Sequence, residues 1–408
     1  MTGPDSNTRP GIAALGDPAV VENPYPVLAA LREASPFAEL DGAVVVVGRH
    51  RDCSAILRDP RASSERNRSL LAPPEMREQR PPSFLSLDPP DHTRLRRLVS
   101  KAFAPRVIAR LAPRIGELTD DLLTAAGPGV AAGRLDVVSQ LAYPLPVRII
   151  SELLGVPPED YATFAGWSAS LAHSLQPQFG QPDLTGAAAA QQARAEFGAY
   201  FRELIAARRA QPADDLLTEL IRAEDDGQHL SEEELIGTCV LLLVAGHETT
   251  VGLISNAILA LLRHPDQLAA LRADPELAGS AVEETLRYDA PVQLTGRVAR
   301  DGMRVGELIP RDGAVMLLLL AATGRDPEVF ADPDRFDIRR TASSHLAFAA
   351  GPHFCLGAPL ARLEATIALR KFAARVSEPE LDPDGLAYKP NFNLRGPQRL
   401  VVGFASID

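Results

Sequence analysis

Phe348-Ala349-Ala350-Gly351-Pro352-His353-Phe354-Cys355-Leu356-Gly357 is the stretch on which the reading of this chain turns. It leads into a helical pattern over 358–372, so Cys355 sits where a helix begins. Free backbone N–H groups and the positive end of the helix dipole favour a thiolate over a thiol at such a position. Gly351 and Gly357 permit a sharp turn and the close approach of a flat partner to the backbone. A lone cysteine also fits a small buried apolar residue. The flanking glycines and the helix start are what favour a metal ligand or nucleophile.

Working outward, the next informative segment is a helix that begins at Ser231. Ser231 and Glu234 form an S-x-x-E capping box, and no proline follows until Pro265. Such a helix spans about 33 residues, or roughly 50 Å, enough to cross a whole domain. Its apolar run Val240-Leu241-Leu242-Leu243-Val244 gives way to Ala245-Gly246-His247-Glu248-Thr249-Thr250. Glycine and a back-bonding Thr predict a kink or widening there, a defect common at functional sites. Leu241, Ala245 and Thr249 share one stripe at four-residue spacing. His247 lies off that stripe and reads as a structural side chain bonded within the core. Glu284-Thr285-Leu286-Arg287 places an acid and a base three apart, which on a helix surface is an ordinary pair of small energy.

These segments together resemble the cytochrome P450 family, in its soluble bacterial type. F-x-x-G-x-H-x-C-x-G matches that family's haem-binding loop, Ala245-Gly246-His247-Glu248-Thr249 its oxygen-activation motif, and Glu284-x-x-Arg287 its buried ion pair. The resemblance runs from Asn23-Pro24-Tyr25 to the last strand. It implies a mainly α fold, helices around a haem with small β-sheets, in a single haem domain over 21–408 after a flexible tail of residues 1–20. It implies haem b (iron protoporphyrin IX) ligated by Cys355, whose thiolate promotes O–O cleavage. Propionate partners would be His92, Arg96, Arg297 and His353, with Phe348, Gly357, Ala245 and Gly246 against the haem. Arg335 would complete the Glu284–Arg287 pair. Glu248 and Thr249 would deliver protons beside the iron. Phe84, Leu85, Leu241, Val244, Val292, Leu294 and Phe392-Asn393-Leu394 would line an apolar substrate site. Ala349 and Gly324 depart from the family, which usually has Gly and Asn there; only local loop changes are expected.

The implied reaction is insertion of one oxygen atom from O2 into an apolar molecule such as a polyketide, terpenoid or steroid. Electrons would come from NAD(P)H through a separate ferredoxin and ferredoxin reductase. An H2O2-dependent peroxygenase usually lacks the acid–alcohol pair, and a haem sensor has no need of it. A cysteine hydrolase or acyltransferase would need a better-aimed base than His353.

Composition bounds the rest. Net charge −11 argues against nucleic acid as a partner. No run reaches the roughly 18 apolar residues of a membrane span, and Cys53, Cys239 and Cys355 lie far apart without metal-ligand spacing. A cytoplasmic protein of secondary metabolism is expected. Between His92 and Gly116 there is no acidic residue, while Arg94, Arg97, Lys101, Arg106, Arg110 and Arg114 all fall there. This stretch reads either as a solvated basic helix face or as a docking patch for an acidic protein, a ferredoxin by the resemblance. Strands are expected at Ala43–Val47, Gln293–Ala299, Met303–Val305 and Arg399–Phe404. Pro73 to Pro90 and Gln176 to Pro182 read as connections able to gate a buried site.

Overall fold

The capping box at Ser231 forms: Ser231 Oγ accepts from Glu234 N–H at 3.2 Å, and the Glu234 carboxylate accepts from Ser231 N–H at 2.9 Å. From there a helix runs over Glu232–Arg263 and ends before Pro265, which cannot continue it. By length and composition it could cross a membrane, yet 56% of its most apolar window is buried inside the protein. It packs against helices Pro144–Leu153, Leu184–Ala210, Ala278–Tyr288 and Ala358–Arg375 and is the axis of the main core. The helix is unbroken through 245–250. The expected kink is replaced by local bonds, Thr249 Oγ1 donating to Ala245 O at 2.8 Å and Thr250 Oγ1 to Gly246 O at 2.9 Å.

This computed structural model describes residues 10–77, 83–126, 133–174, 184–225, 227–341 and 344–408. The fold is mainly α. Beside the helices a five-stranded sheet has the order Phe37–Glu39, Val44–Val47, Val315–Leu318, Thr295–Ala299, Ala62–Ser63. Val44–Val47 is buried throughout, as an unbroken Val run should be, and pairs in parallel with Val315–Leu318. A hairpin of Glu380–Tyr388 and Pro397–Gly403 takes a third strand, Arg134–Asp136. The expected strand at Met303–Val305 shrinks to a single bridge between Val305 and Leu308.

Two expectations need correction or fall outside the description. Residues 1–20 are not all a free tail, since Ile12 and Leu15 are buried against Leu28, Leu31 and Phe37. Gln176 to Pro182 lies outside the described residues, as do 78–82 of the Pro73 to Pro90 stretch.

Candidate active site

The Cys355 loop is fixed by its backbone. Cys355 N–H donates to Phe348 O at 3.0 Å. Gly351 has φ +69°, and a Cβ there would come within 2.3 Å of Leu57 O, so only glycine fits. Ala349 also lies in the left-handed region, at φ 58°, where the family's usual Gly is unstrained. Gly357 caps helix Ala358–Arg375. The Gly357 and Ala358 N–H groups reach the Cys355 sulfur and favour its thiolate, but burial outweighs them and pushes the thiol up. The helix start alone therefore does not make the thiolate.

Cys355 borders a cavity with about 1360 Å³ of empty space, its open mouth included. Of the sequence candidates, Phe84, Leu85, Arg96, Leu241, Ala245, Gly246, Thr249, Val292, Arg297, Phe348, His353 and Gly357 line it with Cys355. Five others do not. Val244 leaves the core helix on the face away from Thr249, and Leu294, just before strand Thr295–Ala299, is buried with Phe37, Val44 and Leu319. Phe392, Asn393 and Leu394 stand behind the wall: Leu394 bridges to Val292, and Asn393 Oδ1 accepts from Leu294 N–H at 3.1 Å. Ile150, Phe103, Pro291 and Thr295 line the cavity and were not singled out, since nothing in their local pattern marks them.

Glu248 requires the sharpest correction. It does not reach the cavity, because the side chain one position before Thr249 points about 100° round the helix. Its carboxylate meets Lys389 Nζ at 2.5 Å and lies 3.4 Å from His247 Nε2. Burial would raise its pKa, but those two groups outweigh it and hold the carboxyl at about 2. His247 is buried and off the cavity, as expected, with Nδ1 at 3.1 Å from Ser168 Oγ.

The rim of the cavity is cationic, and Asp88 acts on Arg297 and His92 only through space. No carboxylate among the described residues pairs with Arg96 or Arg297. Arg96 donates to Phe354 O at 2.6 Å, and Arg297 donates to Gly296 O at 2.8 Å. Burial, with Arg66 nearby, pushes Arg297 down to about 10. Burial likewise pushes His353 to about 3, and its ring centroid is 4.0 Å from that of His92. Both ring nitrogens of His92 are buried without a partner. Buried cations and orphaned donors of this kind call for anions, so the rim fits the two propionates of a porphyrin. Among the described residues no group of three His, Cys, Asp or Glu could hold a metal ion.

The ion-pair helix underlies this loop. Arg287, fully buried, donates from Nε and Nη2 to Glu284 at 2.8 Å each, and from Nη1 to Gly324 O and Pro333 O at 2.8 and 2.7 Å. Arg335 supplies only its carbonyl; its side chain is exposed beside Asp337. The second guanidinium on Glu284 is that of Arg340, at 3.2 Å. Arg335, expected there, follows the proline directly, whereas the turn at Asp337–Arg340 brings the later arginine inward. Gly324 is more than a local loop change, because a Cβ there would lie 2.1 Å from Arg287 O.

The basic stretch is also smaller than expected. Arg94 is bound to Glu234 of the capping box, and Arg114 to Glu152 at 2.7 Å. Arg97, Lys101, Arg106 and Arg110 are exposed, whatever else Arg97 and Lys101 contact.

A mainly helical fold with a single thiol under an apolar, cation-rimmed cavity defines a class of haem-thiolate protein. The Cytochrome P450 family model matches residues 41–377. The chain is 44% identical over 403 residues to cytochrome P450 monooxygenase PikC of Streptomyces venezuelae, covering 96% of this chain and 93% of that one. It is 42% identical over 396 residues to a vitamin D(3) 25-hydroxylase of Pseudonocardia autotrophica, covering 93% and 94%. Ligand-free CYP164A2 of Mycobacterium smegmatis superposes with a TM-score of 0.88 at 47% identity, over 96% and 98% of the chains. The chain belongs to the cytochrome P450 family and is an oxidoreductase of its monooxygenase class. Membership implies a haem cofactor, redox partners and a hydrophobic substrate.

Proposed function

We propose that this chain holds haem b through Cys355 and inserts one atom of O2 into an apolar, mid-sized organic molecule by hydroxylation or epoxidation. The observation that carries the reading is one apolar cavity shared by Cys355 and Thr249, with Arg96 and Arg297 at its rim and no carboxylate bonded to either among the described residues. Bound haem supplies the binding and reductive activation of dioxygen. Arg96, Arg297, His92 and His353 hold its propionates. Thr249 Oγ1 spends its hydrogen on Ala245 O, so its lone pairs are free to accept a bond in the cavity. Glu248, outside the cavity, is the proton source behind Thr249.

Phe84, Leu85, Leu241 and Val292 give the substrate an apolar wall. A relative solved with hexadec-9Z-enoic acid on an acyl carrier protein, 36% identical, supports an apolar ligand. A polyketide, terpenoid or steroid of secondary metabolism fits that wall. Electrons arrive from NAD(P)H through a ferredoxin and its reductase in the cytoplasm, with Arg97, Lys101 and Arg106 steering the acidic partner.

The test is Thr249→Ala in the holoenzyme with a bacterial ferredoxin and reductase. Hydrogen peroxide released per NAD(P)H consumed should rise severalfold while the thiolate spectrum stays. An unchanged ratio would refute the catalytic reading of Thr249.

A further inference from the structure

The phenylalanine that opens the Cys355 loop carries a charged group on its ring. Phe348 lines the cavity, and its backbone oxygen accepts from Cys355 N–H at 3.0 Å. The guanidinium of Arg362, from helix Ala358–Arg375, stands 4.6 Å from the centroid of that ring. Arg362 donates from Nε and Nη2 to the two oxygens of Glu283 at 2.6 and 2.9 Å, a bidentate pair that fixes the plane of the guanidinium. Glu283 comes from helix Ala278–Tyr288, one residue before the buried Glu284, so one helix carries both ion pairs. His345 completes the clamp. Its Nε2 lies 3.2 Å from Glu283, and its ring centroid is 6.0 Å from that of Phe348.

Two guanidinia act on the Cys355 sulfur. Burial pushes the thiol up, and against it stand the Gly357 N–H, Arg96, the Ala358 N–H and Arg362. Arg96 belongs to the rim, where a propionate would neutralise it. Arg362 belongs neither to the rim nor to the cavity wall, and its charge is balanced by Glu283 alone, both side chains being about a third exposed. A positive charge beside a ligating sulfur holds electron density on the sulfur and weakens its donation to a metal, and a negative charge does the reverse. Of the paired charges, the guanidinium is the one stacked on the Cys355 loop.

We propose that the Glu283–Arg362 pair sets how strongly the Cys355 sulfur donates to the haem iron: Arg362 weakens the donation and raises the iron's reduction potential, and Glu283 opposes it. The inference rests on the reading of Cys355 as haem ligand. Arg362 and Glu283 are positioning residues, since neither touches the cavity. Because their charges are opposite, removing one or the other should move the potential in opposite directions. Loss of packing under Phe348 would instead move both variants the same way.

The test needs neither the native substrate nor the redox partners. Spectroelectrochemical titration of substrate-free holoenzyme reads the potential, and the infrared C–O stretch of the reduced carbon monoxide complex reads donation from the sulfur. Arg362→Met should make reduction less favourable by up to about tenfold, which is about 59 mV for one electron, and should lower the C–O stretch. Glu283→Gln keeps the shape of the clamp and should shift both readouts the other way. Arg362→Lys keeps the charge and should stay near wild type. Unchanged potentials in Arg362→Met and Glu283→Gln, or shifts of the same sign, would overturn the proposal, while a red-shifted Soret band in the carbon monoxide complex keeps Cys355 as ligand. Absence of that band from the wild type overturns the ligand reading itself. If Arg362→Met takes up no haem, Glu283→Gln decides by its sign: a raised potential supports the proposal, and an unchanged or lowered one refutes it.

Discussion

The two sides of the cavity are built differently. On the Cys355 side the backbone is held by directional bonds and close backbone approach: Cys355 to Phe348, Gly351 packed close against Leu57, and Arg287 to Glu284 and across to Gly324, Pro333 and Arg335. On the opposite side the lining from the core helix is apolar, and Thr249 bonds only to its own helix. Directional bonds between remote segments leave little freedom of substitution. Apolar contacts tolerate redistribution of volume among neighbours. The first side therefore sets the chemistry common to the family, and the second is where substrate preference is adjusted.

The contrast is open to direct tests. The largest effect should come from Glu284→Ala, which strands the buried Arg287 without its charge partner and should cost about 3–5 kcal/mol in denaturant unfolding. A loss below about 1 kcal/mol would mean the ion pair is not what holds that side. Gly324→Asn, toward the residue usual in the family, forces a Cβ onto the Arg287 carbonyl and should cost about 1–3 kcal/mol; a neutral result would show that the 323–326 turn relaxes freely.

A smaller effect is expected in acid. Each side carries one depressed carboxyl, Glu283 beside His345 and Arg362, and Glu248 beside His247 and Lys389, both held at about 2 against burial that would raise them. The stability they contribute is present above their ordinary value of 4.5 and is lost as pH falls from there toward about 2. Melting temperatures across that window should fall less steeply in Glu248→Gln and in Glu283→Gln than in wild type. Glu283 is a third exposed, so its share should be the lesser.

Ala349→Gly should stabilise by about 0.5–1 kcal/mol, the relief at φ 58° exceeding the entropy of the added glycine. Smallest in stability is Leu85→Ala on the other side. Leu85 is half exposed yet lines the cavity, so unfolding should shift by less than about 0.5 kcal/mol while binding of an azole probe weakens severalfold. Equal stability losses at Leu85 and Gly324 would erase the contrast.

What could be read from the residues alone follows the same division. The capping box at Ser231 and the proline at 265 delimited the core helix, because both signals act within one turn of the chain. The Cys355 loop was legible because glycine spacing and a helix start are local, and the Thr249 stripe because helical periodicity is local too. The strand Val315–Leu318 was missed, since its side chains are apolar on both faces and the sequence carries no period, although only Met316 and Leu318 are fully buried. Arg340 in place of Arg335, Lys389 on Glu248, and Arg94 on Glu234 depend on segments many residues apart, as does the retreat of Phe392 to Leu394 behind the wall. Side-chain type declares which groups need partners. Only the packing of remote segments decides which partner arrives, because a charge or a cavity wall is satisfied by whatever the fold brings within a few ångströms.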